Sequence, residues 1–254
     1  MLKRDKVITL LNLGGWSSLA LYAVCMLIYP WIDGGFSWVH LQDVWDRWQG
    51  LNVGMLAFLS SAIAFNISRF NAEKQRERDF LASQAFLPAA LSELVSYFKG
   101  SASIFLKGWK AEPGRRPDFV VPQAPQEYKA VFQECIRHAT PVVGDFLSRI
   151  LVAMQIHEAR LRGYLSQDSD HFTPQRHNLI TYLYRLGELQ ALVNKLFPFA
   201  RNMEEFDAAP LVWDDFDTAY GNLDIWEDEI RIDGELDLVG FTQRAIERNR
   251  HKDT

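Results

Sequence analysis

The sequence predicts an all-α protein, a two-helix transmembrane hairpin that continues into a cytoplasmic helical-bundle domain. Three observations predict it. Residues 7–32 and 48–68 contain no ionisable acid or base. The polar remainder places its apolar residues at helical spacing, with no convincing alternation of period two. Lysines and arginines crowd the outer flanks of the uncharged stretches and are scarce between them.

Overall composition conceals this arrangement, because 48% hydrophobic and 23% charged residues fall in the ordinary globular range. As helices the two uncharged stretches would be about 39 Å and about 32 Å long, against a hydrocarbon layer of about 30 Å. Both are long enough to span, the first with tilt. A cleaved signal peptide does not fit the first. Its apolar region is too long, no A-x-A site closes it, and a second span follows. Val24 also stands before Cys25, where a lipoprotein site needs a small residue.

Basic residues near the spans set orientation, since they resist translocation. Lys3, Arg4 and Lys6 lie in residues 1–6, and Arg69, Lys74, Arg76 and Arg78 follow the second span, whereas the connecting loop 33–47 has only Arg47. Both termini are therefore expected in the cytoplasm, with 33–47 as an extracytoplasmic loop, periplasmic if the membrane is a bacterial inner membrane. Trp38, Trp45 and Trp48 are expected as interfacial anchors. Cys25 then lies in the bilayer and Cys135 in a reducing compartment, and no disulfide is expected.

In the second span, Gly50, Gly54, Ala57, Ser61, Ala64 and Ser68 recur at steps of four and three and share one helix face. Small residues let helix backbones approach closely in lipid, where packing drives association. Gly14 and Ser18 give the first span a shorter counterpart. The face can join the two spans of one chain or hairpins of different chains, which makes the lipid bilayer and a homo-oligomer the expected partners. Asn52 and Asn66 fall on the opposite side, near the span's ends, where headgroups can satisfy their amides.

Residues 69–110 are expected as cytoplasmic stalk helices, interrupted at Pro88 and open to further breaks at Gly100 and Gly108. Residues 111–126 hold four prolines and a glycine and form the clearest loop. Arg115 and Arg116 within it are expected in solvent, because phosphate binding recruits more donors than two side chains. Helical patterns resume at 127–139, 141–165 and 173–197, with Thr173 and Pro174 as a cap and first-turn pair. Residues 111–254 are expected as a cytoplasmic helical domain with an acidic C-terminal region.

That region is sharply charged. Residues 204–237 carry thirteen carboxylates and one base, Arg231, a net charge of −12 in a chain whose total is −5. Interleaved Phe206, Trp213, Phe216, Tyr220 and Trp226 argue for a folded acidic surface over a disordered tail. Asp214, Asp215, Asp217, Glu227, Asp228 and Glu229 are the expected partner-binding residues. Their partner is the chain's own basic stalk, the same stalk on a neighbouring subunit, or a basic cytosolic protein; the alternative is a solvated surface with no partner.

Motifs for chemistry fail on spacing. Counted from Asp215, an EF-hand would place Tyr220 at its glycine and Trp226 at its bidentate acid. His157 and Glu158 open as H-E-x-x-H does, but Leu161 holds the second histidine's place. Cys135 and His138 share a single helix face, which rarely builds a nucleophile and its base. No catalytic residue, metal or cofactor is expected, and no direct nucleic-acid binding.

The basic start, the uncharged hairpin, the RFNAEKQRERDF stalk and the helical remainder together resemble the two-pass membrane effectors of bacterial antiphage defence, including those attached to retrons. The resemblance spans the whole layout and rests on no diagnostic motif. It implies a protein held silent by a cytosolic regulatory protein or ribonucleoprotein, which permeabilises the inner membrane when released. The alternative from the residues alone is a non-catalytic anchor or scaffold recruiting a cytosolic complex; a membrane-tethered enzyme would need a pocket of converging polar groups.

Overall fold

The computed structural model describes residues 2–166, 173, 175–232 and 236–250, with side chains at all of these except 2–12, 227, 236 and 250. The described chain is mostly helical, with almost no strand. It divides into two compact units, residues 1–72 and 73–254.

In the first unit, α1 (Leu2–Ala23) passes through a π-helical turn at Val24–Ile28 into the short α2 (Tyr29–Asp33). A turn at 34–36 with left-handed Gly35 and Phe36 leads to α3 (Trp38–Arg47) and then to α4 (Gln49–Gln84). The segment 33–47, expected as a loop, is thus largely helical. Its strongly amphipathic α3 turns Leu41 inward at 1% exposure and leaves Trp38 and Val39 exposed.

Two helical stretches, Leu13–Asp33 and the one beginning at Gln49, are long and apolar enough to cross a membrane. In the second, none of the most apolar eighteen-residue window is buried by the rest of the chain. Leu51, Val53, Leu56, Ile63, Phe65 and Ile67 all lie exposed on α4. A contiguous apolar surface of this kind is unfavourable in water.

α4 runs unbroken past Arg69 to Gln84, and the chain then turns at Ala85 and Phe86. Pro88 follows directly on this interruption of the helical run, close to where it was expected. It occupies the first turn of α5 (Leu87–Trp109), where its missing N–H has no helical partner to lose. The expected stalk therefore stops at Gln84, and α5 is a core helix with Leu87, Leu91, Leu94, Phe98 and Phe105 fully buried. Gly100 and Gly108 do not break it. A Cβ at Gly100 would lie 2.8 Å from Pro122, and one at Gly108 would collide with the Tyr164 hydroxyl. Both glycines admit neighbours that pack against the helix backbone.

The second unit adds α6 (Glu127–His138), α7 (Pro141–Leu165), α8 (Arg176–Ala200), α9 (Trp213–Asn222) and α10 (Leu238–Arg250). Thr173 lies before the start of α8 and does not cap it, since the helix begins after Gln175; Pro174 lies outside the described residues. A two-residue antiparallel pair, β1 (Arg231–Ile232) with β2 (Leu236–Asp237), precedes α10. α8 packs against α5, α7, α9 and α10, and Leu179, Ile180, Leu183, Leu186, Val193 and Leu196 on it are fully buried. The Tyr184 and Phe216 rings stack at 5.6 Å. At the start of the unit, Arg76 donates to the carbonyls of His138 (3.0 Å) and Ala139 (2.5 Å), covering acceptors that the end of α6 leaves open.

Gly187 marks the closest approach of α9 to α8. A Cβ there would sit 2.4 Å from the ring of Tyr220, a fully buried side chain fixed by a 2.7 Å hydrogen bond to Thr242. Gly187→Ala should therefore destabilise the protein by about 1–3 kcal/mol through overpacking. Gly163→Ala, where a Cβ meets nothing, should be neutral or stabilising by up to about 1 kcal/mol. Thermal unfolding of the two variants in detergent separates these outcomes.

Candidate functional site

The helical reversal in the first unit is built around a missing donor. Pro30 has no N–H, so the carbonyl of Met26, four residues earlier, lacks its helical partner. The wider π turn takes up the change of pitch, with the Tyr29 N–H reaching the Val24 carbonyl. Trp45 of α3 then donates its indole Nε1–H to the Met26 carbonyl at 2.8 Å. Asn52 completes the arrangement. Its Nδ2 donates to the Trp45 carbonyl at 3.2 Å, and its Oδ1 accepts from the Tyr22 hydroxyl at 2.8 Å. Trp31, Trp38 and Trp45 form a chain of ring contacts 6.0 and 6.5 Å apart.

The expected interfacial anchors accordingly differ among themselves. All three lie exposed, Trp45 the least at 36%, and Trp45 in addition crosslinks α3 to the π turn. Asn52 joins helices and does not turn out to a headgroup, and Asn66 returns its amide to the Ala62 carbonyl at 2.9 Å.

Gly50, Gly54, Ala57, Ser61, Ala64 and Ser68 all lie exposed on one face of α4. The partly covered face is the other one, with Asn52, Met55, Leu59 and Ala62. Gly14 and Ser18 are likewise exposed, and a Cβ added to Gly14, Gly50 or Gly54 meets nothing within 4 Å. The small residues do not join α1 to α4; Gly15, 3.8 Å from Phe58 as judged from its missing Cβ, lies closer to that role. Ser61 and Ser18 donate to the carbonyls of Ala57 and Gly14, each at 2.9 Å, so these hydroxyls are satisfied within their own helices.

Among the described residues, the ion pairs of the acidic region are made within its own unit. Asp224 pairs with Lys99 at 2.8 Å, Glu229 with Lys110 at 2.9 Å and Asp207 with Lys195 at 2.9 Å. Of the expected partner-binding acids, Asp215 accepts the Val212 N–H at 2.8 Å at the start of α9, and Glu229 is paired. Asp214, Asp217 and Asp228 are exposed, and the Glu227 side chain lies outside the described residues. Arg116 is no solvated arginine either: it donates to the Leu165 carbonyl at 2.5 Å and lies over the Phe119 ring.

His157 is a buried titratable group, 5% exposed and ringed edge-on by Tyr97, Phe98 and Phe105. Burial, reinforced by the Arg160 cation, lowers its pKa to about 4. Its Nε2 lies 3.1 Å from Ser101 Oγ, which resembles a nucleophile and base. The Ser101 hydroxyl, however, donates to the Tyr97 carbonyl at 2.9 Å. The histidine must therefore supply the proton of the shared bond, as a neutral Nε2–H tautomer, and it cannot act as the base for that serine. Ser101 is also fully buried. The neighbouring cavity of about 160 Å³, lined by His157, Arg160, Tyr182, Arg185 and Glu188, does not reach it. No group of three or more possible metal ligands occurs among the described residues.

The chain is thus a mostly helical protein with two helices long and apolar enough to cross a membrane. No known protein family, curated protein or solved structure matches it.

Trp45→Phe keeps the ring and removes the indole N–H, leaving the Met26 carbonyl without its donor. A cost of about 1–3 kcal/mol is expected, read as faster amide exchange in residues 24–33 and a lower unfolding midpoint, with Trp48→Phe as the unaffected control. For His157 the sign is fixed by a folded pKa of about 4 below an unfolded value of about 6.5. Between these values the unfolded chain binds more protons, so stability is full above about pH 6.5 and falls as pH drops towards 4, by about 3 kcal/mol in all. His157→Phe should flatten that part of the profile in detergent melts run across the window.

Proposed function

We propose that this is a two-span bacterial inner-membrane protein, both termini cytoplasmic, that acts as an effector. In this reading a cytosolic partner holds the helical domain, and hairpins of several chains assemble through α4 to disrupt the membrane when that hold is lost. Antiphage defence is the setting that the layout's resemblance implies. The observation that carries the reading is the exposure of the whole small-residue face of α4 on the side opposite Asn52 and the other partly covered positions. Such a face, with Ser61 satisfied internally, suits close helix packing in lipid, and a second copy of the same helix presents the matching surface.

A passive anchor or scaffold is the second reading. It is favoured by the exposed carboxylates of Asp214, Asp217 and Asp228, which offer a basic partner a surface without requiring any change in the membrane. On this reading an unrelated two-span hairpin could replace residues 1–68 without loss of function.

Gly54→Ile together with Ser61→Ile distinguishes the two. Beyond its own helix turn, nothing among the described residues lies within 4 Å of a Cβ at Gly54, and Ser61 is exposed, so both additions project away from the protomer's own packing. Induced expression of the native chain should give crosslinked oligomers and dye entry; the double variant should remain monomeric in membranes and reduce dye entry to the uninduced level. Unchanged oligomers and unchanged dye entry in the variant would remove assembly through this face.

A further inference from the structure

In the second unit, a cleft of about 1020 Å³ opens between one face of α5 and the loop at 111–118. Five cationic side chains line it: Lys99 and Lys107 from α5, Lys110 directly after the helix, and Arg115 and Arg116 from the loop. The lysines fall at steps of eight and three, which keeps them on one side of the helix and its C-terminal end. Glu112, Asp118 and Asp224 also line the cleft, so its lining remains net positive in a chain whose total charge is −5.

The cations differ in how firmly they are held. Arg116 is fixed by the Leu165 carbonyl and the Phe119 ring. Lys107 donates to the backbone carbonyl of Asp118 at 3.2 Å and makes no ion pair within 4 Å among the described residues. Arg115 is exposed, and its guanidinium has no ion pair among the described residues. Lys99 and Lys110 are held by Asp224 and Glu229 through pairs whose side chains are all more than half exposed. Such pairs are worth about 0–1 kcal/mol and exchange readily for a more highly charged anion.

We propose that this cleft binds a small ligand bearing two or more phosphate groups. Lys99, Lys107, Lys110 and Arg115 are its contacts, and Asp224 and Glu229 are the carboxylates it displaces. The three lysines spread along about 16 Å of the helix and its C-terminal end, more than one phosphate can bridge. The uncharged lining consists of Ser103, Leu106, Ala111, Pro117 and Leu223 and offers no aromatic platform for bases, which disfavours a single-stranded nucleic acid. Phosphate chains on a soluble metabolite and paired phosphates on a lipid headgroup share the required chemistry. The site stands apart from hairpin assembly and survives if that reading fails.

Calorimetry on the full chain in neutral detergent, titrated with inorganic triphosphate at low and near-physiological salt, tests it. Saturable binding is expected, weakened about tenfold or more by combining Lys107→Ala with Arg115→Ala. Asp224→Asn should strengthen binding several-fold by removing a competitor, while Asp214→Asn, outside the cleft, should change little. Cardiolipin vesicles that displace triphosphate, where phosphatidylcholine vesicles do not, identify a headgroup ligand; failure to displace identifies a soluble one. The proposal is overturned by absence of saturable triphosphate binding, by an unchanged affinity in the double variant with its circular dichroism intact, or by binding of long RNA without binding of triphosphate.

Discussion

A helix surrounded by apolar material must pair every carbonyl within the protein, and in this chain Pro30 makes that impossible by helical bonding alone. The first unit is organised around the resulting vacancy at Met26. The donor comes from Trp45, so α3 has to lie beside the π turn. Asn52 then ties the first turns of α4 to both Trp45 and Tyr22. These two bonds fix the rotation of α4 about its own axis. With Asn52 turned towards α1 and α3, helical geometry sends Gly50, Gly54, Ala57 and Ser61 to the outside. The outward small-residue face is thus a consequence of one proline, reached through two polar side chains.

In the second unit the ordering element is α8, whose apolar residues occupy nearly its whole circumference and contact α5, α7, α9 and α10. The acidic segment is held to this core by apolar and aromatic residues: Phe216 on Tyr184, Tyr220 in the notch at Gly187, and Leu223, Ile225 and Ile230 buried between charged neighbours. Its carboxylates then settle on whichever lysines the packing brings near. That explains why Asp224 and Glu229 meet Lys99 on α5 and Lys110 just beyond it. Hydrophobic burial at about 25 cal/mol per Å² outweighs a surface ion pair, and charge follows packing.

The helical class was legible because apolar periodicity survives local detail: α6 and α7 fall where 127–139 and 141–165 place them, and the proline-rich 111–126 is a loop. Gly100 and Gly108 were misread because a glycine's local effect is destabilising, whereas its value here lies in Pro122 and Tyr164, neighbours distant in sequence. The acidic residues were legible as a folded surface through their interleaved aromatics, but not in their pairing, which depends on tertiary placement. The small residues of α4 were legible as a face, and only the bonds of Asn52 decide which way that face turns. Nothing in the sequence singled out Lys99, Lys107 and Lys110. Their significance needed the 111–118 loop folded over them, so Arg115 and Arg116 alone gave too few donors.

The cleft and the acidic surface share the same charges, and this couples them. On the proposed reading, an oligophosphate that takes Lys99 and Lys110 frees Asp224 and Glu229, adding two carboxylates to the exposed Asp214, Asp217 and Asp228. A basic partner that engages Asp224 and Glu229 in turn frees the two lysines. Linkage makes the effects equal, so each ligand strengthens the other by the same factor. The ion pairs being broken set the ceiling. Two exposed pairs at about 1 kcal/mol each allow at most about 2 kcal/mol, a factor of about 30, and screening by salt reduces it further. Coupling of that size tunes a partner's occupancy without deciding it, so control over the membrane helices would have to come mainly from the partner's own contacts with the helical domain.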